Sequence, residues 1–363
     1  LFVQGDGTGI LSVLANPKEF KISDFGTLKL VNKLKLFKSN TIKDFTEQSS
    51  SPLPKDYINF DEALTTEIAS GCIFSCSFCD YASLGKKKNE FMRSYDSLKN
   101  EFEYNLKTFG TRVYTFTDNI VNDNLDKLEM LIKIKEELDF DLKWVGYVRL
   151  DTIKNEQQAR LLKDSGLIGA TMGIESFHKS AGPYIGKMTD GEIIKDKLRM
   201  CREVWKDDVI VTASMIAGLP TEPKEILQQH FEFLMSQEGK YLIDTFFYSW
   251  LILYPNQGTK NEINAKRMNG DPFKDYIKTA DSVWTSPWGT SEEFAEIVRN
   301  YNNKKIPYGR SAFMLPSSHN SYEKIENFVL SIRKYNNKSS YLDLKTATDE
   351  KIKEYKNKVL DNL

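Results

Sequence analysis

Apolar residues recur with a period that changes repeatedly along this chain, and each change marks a predicted element. From Thr27 to Phe37, Leu28, Leu30, Leu34 and Leu36 hold one parity and Lys29, Lys33 and Lys35 the other, a period of two that predicts one half-buried strand. Lysines on its open face also discourage edge pairing. The polar stretch Glu47–Asp56, interrupted twice by proline, reads as a linker. Beyond it, strand-like runs at 65–69, 112–117, 143–148, 169–173, 209–217 and 243–252 alternate with helix-like runs at 94–108, 123–138, 155–164, 190–205 and 222–235. Leu125, Leu128, Leu131 and Ile132 stand at helical spacing, and Gly166 ends the run before it. Such alternation predicts an α/β fold with a parallel sheet, since each right-handed crossover returns the chain to the same end of the next strand. Open or closed, that sheet carries its chemistry at the C-terminal ends of the strands. Past about Lys260 the pattern decays into Asn- and Lys-rich sequence around Trp284, Trp288 and Phe313–Tyr322, and Asp349–Leu363 reads as a charged helix.

Composition narrows the function classes. Fifty basic and 51 acidic residues leave a net charge of -1, which supplies no field to attract nucleic acid or an anionic membrane. No apolar run approaches the ~20 residues of a membrane span, and the start lacks a signal-peptide layout. The expectation is a soluble, cytoplasmic protein. With 363 residues the chain is long enough for more than one domain. Leu1 in place of an initiator methionine suggests a piece of something longer.

Three of the four cysteines, Cys72, Cys76 and Cys79, fall in the loop after the first strand of the alternating region, spaced CxxxCxxC. In a reducing compartment such thiols read as metal ligands before disulfides. Offsets of four and three let a short loop turn three sulfurs to one face, each able to hold one iron of a cubane whose fourth iron stays open. A zinc site completed by Asp80 or Cys201, buried inert thiols, and an electron-carrying cluster with a fourth cysteine remain alternatives. Charged residues stand at successive strand ends: Asp118 in VYTFTDN, Arg149 in YVRLD and Glu175 in MGIES. Unpaired charges avoid burial, so core packing does not explain them. A helix cap at Asp118 and a mutual ion pair between Arg149 and Glu175 are the structural alternatives. Cys201 reads as a packed thiol; of His178, His230 and His319, only His178 falls near these motifs.

With its aromatic Phe78 just before the third cysteine, the triplet resembles the signature of the radical S-adenosylmethionine (SAM) superfamily, and the resemblance runs from Ala63 to about Lys260. It implies a partial parallel (β/α)6 barrel, a [4Fe-4S] cluster held by Cys72, Cys76 and Cys79, and SAM chelated at the open iron. Reduction by a donor such as flavodoxin or ferredoxin then gives a 5'-deoxyadenosyl radical that takes hydrogen from a substrate the sequence does not identify. The SAM contacts implied are Phe78, Asp118, Arg149, Glu175, Ser176 of the GIES segment, and Gly218 and Pro220 of MIAGLPTE, where glycine would let backbone pack on adenine; no residue is assigned to catalysis itself. YPNQGT at 254–259 is similar to a turn of the same family, and Lys187 aligns with a recurring lysine of no assigned chemistry. Ser214 stands where the longer GxIxGxxE pattern has its first glycine.

The branch most similar includes cobalamin-associated enzymes. Phe2–Leu14 resembles the last strand, turn and helix of a cobalamin-binding domain, although no DxHxxG motif occurs. The implied division is a remnant at 1–58, a radical SAM core at 59–262 and an α-rich C-terminal extension at 263–363. Cobalamin-assisted methyl transfer or rearrangement leads, with cobalamin-free hydrogen abstraction and a non-catalytic cluster- or SAM-binding scaffold as the alternatives.

Overall fold

The structure is a computed structural model and describes residues 2–4, 26–31, 34–39, 49–54, 58, 60–79, 88–187, 190–253, 273–280 and 282–304. The motif at 254–259, Asp80, His319, the 313–322 segment and the tail from 349 lie outside the described residues.

Phe2–Gln4 (β1), Gly26–Val31 (β2) and Leu34–Ser39 (β3) form a small sheet ordered β1-β3-β2, with β1 parallel and β2 antiparallel to β3. The single strand expected over 27–37 is therefore a hairpin, in which Val31 pairs with Leu34 and Leu30 with Lys35. Paired positions share a face and here differ in parity, Leu30 with Lys35 and Lys29 with Leu36, so the alternation read along 27–37 does not continue as one apolar face across the hairpin.

The main sheet comprises Leu64–Thr66 (β4), Val113–Phe116 (β5), Lys143–Val148 (β6), Leu167–Glu175 (β7), Ile210–Ala217 (β8) and Thr245–Trp250 (β9), all parallel and in sequence order. Helices Tyr95–Phe109 (α1), Leu125–Glu137 (α2), Glu156–Asp164 (α3), Ala181–Ile185 (α4), Gly191–Trp205 (α5), Lys224–Met235 (α6) and Gln237–Leu242 (α7) fill the crossovers. The result is a six-stranded partial barrel that does not close. Three predicted helix starts, Ser94, Asn155 and Asp190, are N-caps, whose side chains accept hydrogen bonds from Ser97, Gln158 and Glu192 backbone N–H groups. Trp144 stacks on Phe116 at 5.0 Å in the apolar layer beneath the helices, and its indole N–H donates to the Ser165 carbonyl at 2.9 Å.

The linker is tied to α1: Ser49 Oγ and Ser50 N–H donate to Glu101 Oε2 at 2.8 and 2.6 Å. After β9, Ile277–Ala280 (β10), Val283–Ser286 (β11) and Gly289–Thr290 (β12) form an antiparallel sheet leading into Ser291–Lys304 (α8). The expected α-rich extension thus begins with short strands, which at two to four residues are too brief to show a period. Among the described residues no helix is long and apolar enough to cross a membrane.

Candidate functional site

The cysteine loop leaves the C-terminal end of β4 under tight control. Asp118, just beyond β5, accepts the backbone N–H groups of Ile68 and Ala69 at 2.7 and 2.9 Å, and the Lys127 ammonium lies 3.3 Å from the same carboxylate. Lys127 also reaches Asp123 at 2.7 Å and the Ile120 carbonyl at 3.1 Å. Burial pulls the Lys127 pKa down, but Asp118 and Asp123 outweigh it and hold it above the usual lysine value. Asp118 is fully buried and both its oxygens are engaged. The Asp118 side chain thus fixes where the loop begins, at the strand end where a SAM contact is expected. Asn124, not Asp118, caps α2.

Farther along the loop, Cys72 and Cys76 are buried and Cys79 is half-buried, with Cys79 N–H donating to the Cys76 carbonyl at 3.1 Å. Phe78 is half-buried and packs against the apolar core. A second anchor comes from the end of α4: Ser77 N–H donates to the Ile185 carbonyl at 3.2 Å, and the Cys76 thiol lies 3.8 Å from the Gly186 carbonyl.

Arg149 reaches into this loop from the end of β6. Its Nη1 donates to Cys76 Sγ at 3.2 Å and its Nη2 to the Gly186 carbonyl at 2.9 Å. Asp151 grips the guanidinium edge through Nε at 2.5 Å and Nη2 at 2.6 Å, while the Phe74 ring centre lies 3.9 Å from the guanidinium carbon. The Arg149 backbone is clasped by Asn122, whose Oδ1 accepts the Arg149 N–H at 2.7 Å and whose Nδ2 donates to the Arg149 carbonyl at 2.9 Å. Burial works against the charge, but Asp151 and Cys76 more than offset it, and the pKa is raised.

The expected alternative of an Arg149–Glu175 ion pair is not what forms. Glu175 pairs with Lys187 at 3.2 Å, and Lys187 also donates to the Gly173 carbonyl at 2.9 Å. The β7 ladder shifts register between Gly173 and Glu175, and Glu175 takes φ 64°, in the left-handed region that side chains avoid. A Cβ on Gly173 would stand 2.4 Å from Glu175 Oε1, so glycine is what lets the pair lie against the strand. Burial raises the Glu175 pKa, opposed by Lys187 and then by Arg149.

Two more of the expected SAM contacts, Ser176 and Gly218, also have partners within the protein. Ser176 donates its hydroxyl to Glu222 Oε1 and accepts the His178 N–H at 2.9 Å, which turns it inward. Gly218, at φ 86°, faces protein: a Cβ there would meet Trp284 at 2.7 Å, and its carbonyl accepts the Tyr276 hydroxyl at 2.8 Å. Pro220 is buried beside it. Cys201 sits in the apolar core, where burial pushes its thiol up to about 12, as expected of a packed cysteine.

Residues 66–234 match the Radical SAM superfamily. This part of the chain is a radical SAM domain. No curated protein compared with the chain matches it. Among solved structures, the chain is similar to TsrM from Kitasatospora setae, a radical S-adenosylmethionine methyltransferase solved with tryptophan substrate and the SAM analogue aza-SAM, at TM-score 0.54 and 17% identity over 73% of this chain and 53% of that one. It is also similar to apo, SeMet-labelled OxsB, a cobalamin-dependent S-adenosylmethionine radical enzyme, at TM-score 0.50 and 18% identity over 80% of this chain and 41% of that one. These likenesses concern the fold, and the chain spans about half the length of the TsrM chain and less of OxsB.

The donor set of the radical SAM loop fits the cluster its family implies. Three cysteines on one loop, two of them buried, are a soft sulfur donor set of the kind that holds iron, and burial raises the Cys72 pKa against the hydrogen bond from the Phe74 backbone. Among the described residues no three His, Cys, Asp or Glu side chains are arranged for a single metal ion. In the cluster that the family implies, each of the three sulfurs would hold one iron. Sequence reasoning missed what Asp151, Asn122 and Lys187 do; YVRLD and GKMT held two of them in plain view, but nothing local said which charges they meet.

Proposed function

We propose that the protein is a radical SAM enzyme using cobalamin-assisted methyl transfer or rearrangement. A [4Fe-4S] cluster with SAM bound would supply, on one-electron reduction, a 5'-deoxyadenosyl radical for hydrogen abstraction. Cys72, Cys76 and Cys79 would hold three irons, with the electron coming from flavodoxin or ferredoxin. The carrying observation is the convergence, at the C-terminal ends of β4, β6 and β7, of the cysteine loop, Arg149 and the Glu175–Lys187 pair, all joined through residues 185–187. Both signs of charge stand there for a zwitterionic ligand such as SAM, with Glu175 as an acceptor for ribose hydroxyls and Phe78 as apolar wall. Lys187 opposes the effect of burial on Glu175 and turns its carboxyl to the strand end, and Asp118 fixes the root of the loop.

Cobalamin use is supported by the resemblance of Phe2–Leu14 to the end of a cobalamin-binding domain, of which Phe2–Gln4 is a strand paired in parallel with β3. The division at 58/59 and 262/263 belongs to the same proposal.

Anaerobic reconstitution with iron and sulfide, followed by dithionite reduction, tests the reading. The expected result is an EPR signal that changes on adding SAM, is absent from Cys76→Ala, and is accompanied by 5'-deoxyadenosine and methionine. A signal with no deoxyadenosine would leave a scaffold, and no signal would remove the cluster. Cobalamin retained in a stoichiometric amount by the purified protein is expected if the fuller proposal holds.

A further inference from the structure

We propose that Arg149 is a positioning residue for the cluster, acting through Cys76 by donating a hydrogen bond to its sulfur and so setting the cluster's reduction potential. The proposal rests on the radical SAM reading above. Arg149 and Cys76 are 73 residues apart in sequence, yet Nη1 lies 3.2 Å from Sγ. The donor is held from every side: Asp151 takes the Nε/Nη2 edge, the Gly186 carbonyl takes Nη2, Phe74 lies against the guanidinium face, and Asn122 clasps the backbone. Arg149 is 5% exposed, so water competes little for its N–H groups. A planar fork fixed on one edge by a carboxylate presents its other nitrogen in one direction only.

The electronic consequence follows from charge. A cluster held by Cys72, Cys76 and Cys79 would take one electron from the external donor, which would make its irons and ligating sulfurs more negative. A cationic N–H aimed at one of those sulfurs stabilises the reduced form more than the oxidised form, which raises the potential. Asp151 keeps that donor in place and moderates its charge.

The test is a redox titration of the reconstituted, SAM-free full chain followed by EPR, with iron content measured alongside. Arg149→Met is expected to keep its iron but titrate at a more negative potential, with about tenfold less reduced cluster at a fixed potential, or about 59 mV for a one-electron couple. Arg149→Lys retains the charge without the fork and is expected to recover part of the shift. Should Arg149→Met fail to assemble a cluster, Asp151→Asn leaves the guanidinium present but unbraced and is expected to move the potential measurably while keeping its iron. An unchanged potential in iron-loaded Arg149→Met overturns the proposal. Unchanged potential with loss of the SAM-induced EPR change would assign the guanidinium to SAM instead. Absence of any cluster in the wild-type chain would overturn the radical SAM reading itself, a result distinct from both.

Discussion

Glu222 carries a carboxyl that burial pushes up to about 8 against the hydrogen bond from Ser176, and it sits 3.4 Å from His230, whose imidazole burial pulls down to about 4. At neutral pH both are uncharged, so the pair is a polar contact rather than an ion pair. The sign of their effect on stability follows from proton counting. Glu222, ordinarily at 4.5, binds a proton in the folded state that the unfolded chain has released, so its contribution is full below that value and is lost as pH rises to about 8. His230, ordinarily at 6.5, does the reverse between about 4 and 6.5. The two slopes cancel up to about pH 6.5, and above it Glu222 alone acts. Stability should therefore fall by about 2 kcal/mol between pH 6.5 and 8, one pKa unit being about 1.4 kcal/mol. Urea unfolding of Glu222→Gln is expected to show that slope flattened, with His178 and Lys195, the other charges bearing on His230, unchanged. The GLPTE motif made Glu222 visible in the sequence; its neutral state comes from enclosure by Ser176 and His230, which lie on other elements.

Elements were legible where they obey a local rule and illegible where they are joined. Lys143–Val148 was readable to the residue from its apolar run, and Ser94, Asn155 and Asp190 announced their helices because an N-cap needs a short polar side chain at one position. The joint between β4 and β5 was not readable, because Asp118 finds its N–H donors 50 and 49 residues away. The spacing of a charge says that it needs a partner, not which one. That joint depends on Lys127, which is buried between Asp118 and Asp123. Lys127→Met removes the cation and leaves two carboxylates enclosed, and breaking such a buried pair costs about 3–5 kcal/mol. Chemical denaturation should show that loss. Reconstituted Lys127→Met should also hold less iron than the wild type, since Asp118 no longer fixes Ile68 and Ala69 at the root of the cysteine loop. Full iron loading in the destabilised variant would mean that the joint supports the sheet without shaping the loop.

At the scale of the molecule, the parallel sense of β4 to β9 followed from alternation and their barrel-like arrangement from the family resemblance, whereas the packing of residues 273–304 on that sheet followed from neither, because its strands are too short to carry a period. Several side chains make the attachment, among them Tyr276, Tyr301 stacked on Phe231 at 4.3 Å, and Trp284. Trp284 is fully buried, donates its indole N–H to the Leu251 carbonyl at 2.9 Å, and covers the open side of Gly218 together with Phe294. Gly218 is thus the point at which the end of β8 receives the chain that follows β9, and a side chain there would collide with the indole. If this segment and the sheet share one core, they unfold together. Trp284→Ala is expected to lower stability by about 3–5 kcal/mol, as for a large aromatic removed from a core. Its far-UV circular dichroism and tryptophan fluorescence transitions in urea should stay coincident. Two separated transitions would instead make 273–304 an independent unit, and the boundary at 262/263 would then divide cooperative stability as well as sequence pattern.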